Sequence, residues 1–204
     1  GAPRVGDWDG LMLIGTNPVV SMNGGLGMNP AKKLHDAKKR GMQLIVIDPR
    51  VTDSAKQADI HLQCRPGQDP ILLGAIAKVV INEELYDKDF VAGDVEGFEA
   101  LKTAVQPFDA GPAADRAGVA AEDIVRAACM YGSWKKASIS GGTGTNIGAP
   151  ACSPSRPRRS PPRPVPCRHG ALVVSCTAAI SSRAFPACRP RLCQTKSSHP
   201  AINR

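Results

Sequence analysis

Acidic residues are missing from the last quarter of this 204-residue chain: all 18 Asp and Glu lie in residues 1–150. Residues 1–150 carry 16 Lys and Arg and sum to −2, whereas residues 151–204 carry 10, nine of them Arg, and sum to +10. The overall charge of +8 therefore says nothing about a polyanion partner for the first 150 residues. Cysteine is scarce in that part. Cys64 and Cys129 stand alone there, which gives neither a disulfide framework nor a zinc spacing. No apolar run approaches the roughly 20 residues that a membrane-spanning helix needs, so no span is expected. The first residues, Gly1-Ala2-Pro3-Arg4, lack the charged-then-apolar pattern of a signal peptide. Two phosphate-binding motifs are also missing. No Gly-Lys-Ser/Thr occurs, and the G-x-G-x-x-G start at Gly25-Leu26-Gly27 fails because Pro30 stands where the third glycine belongs.

What is present in residues 1–150 has the rhythm of an α/β domain, and that length suffices for one domain with a real core. Leu11-Met12-Leu13-Ile14 and Gln43-Leu44-Ile45-Val46-Ile47 are short continuous apolar runs, which suit strands buried on both faces. Between them a Gly/Asn-rich loop runs from Gly15 to Gly27. Asn29-Pro30 then caps a helix over 31–40, with Leu34 and Ala37 inward and Gly41 as its left-handed stop. The stretch 58–63 alternates as a short third strand. Asp69-Pro70 reads as a second cap-plus-proline start for a helix over 71–84. Phe90, Phe98, Leu101 and Val105 mark two short helices. A further helix covers 120–131, and a last strand covers 137–140. Strand, helix, strand in this order predicts a parallel sheet with right-handed crossovers.

Ligands of open parallel sheets bind at the carboxyl ends of the strands. Three segments fall at such ends: Gly15-Thr16-Asn17-Pro18, Asp48-Pro49-Arg50 and Gly141–Asn146. A fourth, Arg65-Pro66-Gly67-Gln68-Asp69, precedes a helix. Their Gly, Asn, Asp and Arg content suits a nucleotide: backbone N–H groups and Arg for phosphates, carboxylates for ribose hydroxyls or guanine N–H groups. Plainer readings stand beside this one. Gly15–Pro18 is also a turn composition, Asp48-Pro49 a strand terminator, Asp69-Pro70 a helix cap and Gly141–Asn146 a flexible loop. His35 and His61 read as solvated or core histidines, and the two cysteines as small buried hydrophobes. Asp48 follows Gly27 by 21 residues, close to the dinucleotide fingerprint's spacing, which keeps a nicotinamide-dependent dehydrogenase domain open as an alternative.

The succession LMLIGTNPVVSM, IVIDPRVTDSAKQADIHLQCRPGQDPILLGAIAKVV, GFEALKTAV and IVRAACMYGSWKKASISGGTGTN resembles the molybdopterin oxidoreductases of the DMSO reductase family over roughly residues 10–150. The resemblance implies a Rossmann-like parallel sheet flanked by helices. It implies one cofactor domain of a subunit that holds molybdenum (or tungsten) on two molybdopterin guanine dinucleotides and moves two electrons, often with an oxygen atom. Gly15, Thr16, Asn17 and Pro18 would approach the pyrophosphate and pterin of one dinucleotide. Asp48, Pro49 and Arg50 would lie at its guanosine end. Gly67, Gln68 and Asp69 would contact guanine or ribose, and Gly144 and Asn146 the pterin region near the metal. The family's 4Fe-4S cysteines and metal ligand precede this segment in the parent enzyme, so the chain is expected to be an internal fragment, inactive alone, with no catalytic or metal-ligating residue of its own. The implied partners are the missing remainder of the catalytic subunit and an iron-sulfur electron-transfer subunit. The resemblance leaves the compartment open between bacterial cytoplasm and periplasm, since the family occupies both.

After Gly148-Ala149-Pro150 the periodicity stops. Residues 151–204 hold 9 of the 18 Pro, 5 of the 7 Cys, one of the 20 Gly and a single aromatic, Phe185. Two readings stand. One is a disordered basic C-terminal tail that would make the chain a non-enzymatic polyanion-binding protein, whose binding would weaken steeply with salt. The other, which the Arg, Pro, Ser and Cys content favours, is a shifted reading frame. It predicts that one of the other two frames of the coding DNA encodes leucine-rich helical sequence after codon 150. Its absence from both frames contradicts the frameshift.

Overall fold

The computed structural model describes residues 8–22, 26–142 and 145. The basic segment 151–204, expected to be disordered, lies outside the described residues. Four strands form one parallel sheet in the order β3-β2-β1-β4: β1 Gly10–Ile14, β2 Gln43–Ile47, β3 Ile60–Leu62 and β4 Ala137–Gly141. The helices are α1 Pro18–Ser21, α2 Pro30–Lys39, α3 Asp69–Asn82, α4 Lys88–Asp94, α5 Phe98–Val105, α6 Ala110–Ala117 and α7 Ala121–Ser133, with a 3-10 turn at Ala55–Gln57.

The continuous apolar runs are explained by helices on both faces of the sheet. Side chains alternate across a strand. Leu11, Leu13, Leu44 and Val46 pack with Leu34 and Ala37 of α2. Met12, Ile14, Ile45, Ile47, Ile60 and Leu62 pack with Leu72 and Ile76 of α3, Ala113 and Ala117 of α6, and Ile124 and Ala128 of α7. Each such side chain contributes about 1.5–3 kcal/mol by leaving water. A smaller cluster, Ala77, Ile81, Phe98, Leu101 and Val105, joins α5 to the outer side of α3.

Three elements differ from the sequence expectation. The loop from Gly15 contains a helical turn, α1, because Pro18 presets the first helical φ and the Asn17 carbonyl accepts the Val20 and Ser21 N–H groups. Asp69 is not the cap of α3. Gln68 takes that place, and Asp69 is the first helical residue, buried. Helix α6 escaped the pattern because Gly111-Pro112 reads as a breaker. Pro112 in fact sits in the first turn, where no intrahelical partner awaits its missing N–H, and Gly118 at φ +73 ends the helix. The cap Asn29 accepts from the Lys32 N–H, and Gly41 at φ +96 follows α2, both as expected.

The amino-terminal edge of the sheet is closed by Trp134. Its Nε1–H donates to Gln43 Oε1 at 2.6 Å, and its ring lies so close to Gly10 that a Cβ there would meet Trp134 Cε2 at 1.9 Å. Gly10→Ala should therefore displace the ring and cost about 1–3 kcal/mol in denaturant unfolding. Gly111→Ala, where an added Cβ meets nothing within 4 Å, should gain about 0.5–1 kcal/mol. Equal midpoints for the two variants would contradict this packing.

Candidate functional site

The parallel register sets where the four loops begin. Ile14 pairs with Ile47 and with Gly141, and Ile47 pairs with Leu62, so all four strands end in one row. The chain leaves β1 toward β2 and β3, then returns through α3–α7 to place β4 on the other side of β1. The order of connection thus reverses between β1 and β4, which is where open α/β sheets hold their ligands.

Gly15 turns out of β1 at φ +56 while its N–H donates to the Ile47 carbonyl at 2.8 Å. Gly142, just past β4, donates to the Ile14 carbonyl at 2.8 Å. A Cβ on Gly142 would meet Gly15 O at 2.2 Å and Thr16 Cβ at 2.6 Å, so only glycine lets the β1 and β4 loops touch. Thr16 is buried there, and Pro18 is buried at the start of α1. Thr145 Oγ1–H donates to the Gly142 carbonyl at 2.8 Å. Gly144 and Asn146, also expected at this site, lie outside the described residues.

The β1 and β2 loops are tied by a side-chain bond: Ser54 Oγ–H donates to Asn17 Oδ1 at 2.8 Å, and Ser54 is fully buried. Asp48, 2% exposed, folds back so that its Oδ1 accepts the Arg50 N–H at 2.8 Å. The Arg50 guanidinium stays 79% exposed with Nε 3.6 Å from that oxygen, a loose contact that leaves its donors for a ligand. Strand β3 and its exit hold the same loop from below. The His61 ring Nε2 lies 3.0 Å from the Asp48 carbonyl oxygen, and Gln63 Nε2–H donates to the Pro49 carbonyl at 3.1 Å.

The fourth loop turns at Gly67, φ +79, with the Gln68 N–H donating to the Arg65 carbonyl at 3.1 Å. Gln68 Oε1 is buried and has no hydrogen-bond partner among the described residues. An orphaned acceptor is costly unless a ligand donates to it. Cys64, at 2% exposure, directs its thiol at Asp69 Oδ1, 3.7 Å away. Burial, more than the neighbouring Asp69 charge, pushes the Cys64 thiol from 9.0 up to about 12. Burial likewise raises the Asp69 carboxyl above its ordinary 3.8, with the Asp48 charge adding to the rise. That charge reaches both groups, so the β2 loop and the Arg65–Asp69 loop are electrostatic neighbours.

Asp48, Asp69 and Gln68 supply acceptors, while Asn17 and Arg50 supply donors. This donor set fits a guanine nucleotide, whose base donates N–H groups and whose phosphates accept. Among the described residues no group of three or more His, Cys, Asp or Glu could hold a metal ion. No described helix is long and apolar enough to cross a membrane. Sequence reading missed Ser54, His61 and Gln63 as supports of the site. For Ser54 the available signal was a small hydroxyl residue inside Thr52-Asp53-Ser54-Ala55, where the chain turns between two strands.

Raised pKa values mean that the folded chain holds these two protons more tightly than the unfolded chain. The stability each contributes is full below its unfolded pKa and is lost as pH rises through the folded one, from 9.0 to about 12 for Cys64. At pH 8 only about one Cys64 in ten thousand is thiolate by this pKa. Iodoacetamide at pH 8 should leave native Cys64 unmodified and alkylate it in denaturant. Fast labelling of the native protein contradicts the buried thiol.

The chain is similar to known proteins in sequence and in fold. The sequence profile of the molybdopterin oxidoreductase family matches residues 5–185, running past the compositional break at 150. The alpha subunit of F420-dependent formate dehydrogenase 1 from Methanococcus maripaludis is 40% identical over 138 residues, 65% of this chain and 19% of that protein. Formate dehydrogenase H from Escherichia coli is 37% identical over 143 residues, 69% of this chain and 19% of that protein. The solved structure of acetylene hydratase from Pelobacter acetylenicus superposes with a TM-score of 0.62 at 37% identity, covering 69% of this chain and 19% of that one. The chain spans about a fifth of the length of these relatives. Sequence, sheet order and these similarities together show that the chain belongs to the molybdopterin oxidoreductase family.

Proposed function

We propose that this chain is a dinucleotide-binding portion of the catalytic subunit of a molybdenum or tungsten enzyme whose metal is held by two molybdopterin guanine dinucleotides. The observation that carries the reading is the common end row of the four strands, which gathers four polar loops at the β1/β4 switch point. The cofactor, when bound, supplies a metal centre that exchanges two electrons, often with an oxygen atom. This chain's residues hold one end of it. Gly142 lets the β1 and β4 loops touch, and the Gly15–Pro18 segment at that contact would face the pyrophosphate. Arg50, at the guanosine end with Asp48 and Pro49, keeps an exposed guanidinium to donate to the nucleotide. Asp48, Asp69 and the orphaned Gln68 Oε1 accept from ribose hydroxyls and guanine N–H groups. Gly67 lets the backbone turn close beneath them. Gly144 and Asn146 would approach the pterin.

The relatives' names supply the rest of the proposal. They include formate dehydrogenases, a nitrate reductase catalytic subunit and a thiosulfate reductase subunit, and each is several times longer than this chain's match. The remainder of such a subunit would supply the metal ligand and a 4Fe-4S cluster. An iron-sulfur partner would carry the electrons. On this reading residues 1–150 alone are inactive, and 151–204 are a separate segment. The nicotinamide alternative draws no support from the β1 exit. Pro30 is the first residue of α2, where the fingerprint's third glycine would lie, and the tight turn is made by Gly15 instead.

Asp48→Ala and Asn17→Ala, placed in the intact parent enzyme, should each lower bound molybdenum (or tungsten) and acid-released guanine nucleotide per polypeptide about tenfold, the scale expected when a charged or paired polar contact is lost. Normal content of both in both variants would sink the assignment.

A further inference from the structure

The Asn17–Ser54 bond does more than tie two loops together. A carboxamide presents either an acceptor or two donors, depending on which end is held. Asn17 is held at Oδ1 by the Ser54 hydroxyl at 2.8 Å. Ser54 is fully buried, 37 residues away in sequence, and stands next to the Thr52 hydroxyl that accepts the Ala55 N–H at 3.1 Å. The Asn17 carbonyl is also occupied, since it accepts the Val20 and Ser21 N–H groups and the Ser21 hydroxyl. Both Asn17 oxygens are thus spent within the protein. The Nδ2 group makes no hydrogen bond to a described residue, and Asn17 directly follows Thr16, whose Cβ lies against Gly142.

We propose that Ser54 is a positioning residue: by holding Asn17 Oδ1 it presents the carboxamide N–H groups to a phosphate of the bound dinucleotide. This rests on the function proposed above and adds a residue that was not among the site residues read from the sequence. A serine in an apolar pocket with no such duty would be a loss against alanine. Here its hydroxyl decides the sign of the dipole that a neighbouring anion meets. The reverse orientation, Nδ2 donating to Ser54, would point an oxygen at the phosphate and repel it.

The test uses the intact parent enzyme and reads acid-released guanine nucleotide per polypeptide. Asn17→Asp keeps the acceptor for Ser54 but replaces the donors with a second oxygen, so loading should fall at least as far as in Asn17→Ala, about tenfold or more. Ser54→Ala should lower loading about three- to tenfold. In the Asn17→Ala background, Ser54→Ala should lower it no further, because the two act as one unit. A purely structural role for Ser54 gives additive losses in that cycle and overturns the proposal. Wild-type loading of Asn17→Asp alongside failed loading of Asn17→Ala also overturns it, while leaving the dinucleotide site in place. Wild-type loading of Asn17→Ala overturns the site reading itself. If Ser54→Ala does not fold, Ser54→Cys takes its place in the cycle, since a thiol is a weak donor to Asn17 Oδ1.

Discussion

Parallel pairing of β1 with both of its neighbours is the constraint on which the rest of the molecule depends. A parallel strand cannot return through a tight turn, so each crossover needs a covering segment, and the sheet becomes buried on both faces. That burial demands the uninterrupted apolar runs at 11–14 and 44–47. It also sends every polar duty to the loops. Because the strands end in one row, the loops that leave their carboxyl ends meet along one edge. Among the described strand side chains, His61 is the one that reaches these loops, its ring lying against the Asp48 carbonyl.

Loops gathered by register alone would still be mobile. Here they are joined by contacts of three kinds. Backbone approach joins β1 to β4 through Gly15 and Gly142. Side-chain hydrogen bonds join β1 to β2 through Asn17 and Ser54, and β2 to β3 through Gln63 and Pro49. Charge couples Asp48 to the buried Cys64–Asp69 pair. The exception is Gln68 Oε1, which is buried and unpartnered. Among the described residues the other buried side-chain polar atoms have partners, and on the proposed function a ligand completes this one.

The strands and long helices were legible because burial on both sides and helical spacing leave a direct trace in residue order. Leu34 and Ala37 point inward as their spacing requires, and Asn29 and Gly41 bound α2 as their chemistry requires. Helix α6 was hidden because Gly111-Pro112 signals a breaker unless the helix start is known. The four loops could be located from strand ends, but their mutual ties could not. Nothing local in the sequence says that Ser54 finds Asn17 across 37 residues, or that Asp69 is a buried partner of Cys64 rather than a cap. The family resemblance supplied the order of segments and thus the cofactor class. Three-dimensional contact supplied the supports.

The relatives are about five to seven times the length of their match to this chain, and their names range from formate dehydrogenase to thiosulfate reductase. On the proposed function, this portion holds a guanine dinucleotide at the carboxyl edge of its sheet. A structure of the intact parent enzyme with its cofactor tests that most directly. The account predicts pyrophosphate within hydrogen-bond distance of Asn17 Nδ2, and guanine or ribose against Asp48, Gln68 and Asp69. A dinucleotide that avoids this edge, or a nicotinamide cofactor in its place, contradicts it.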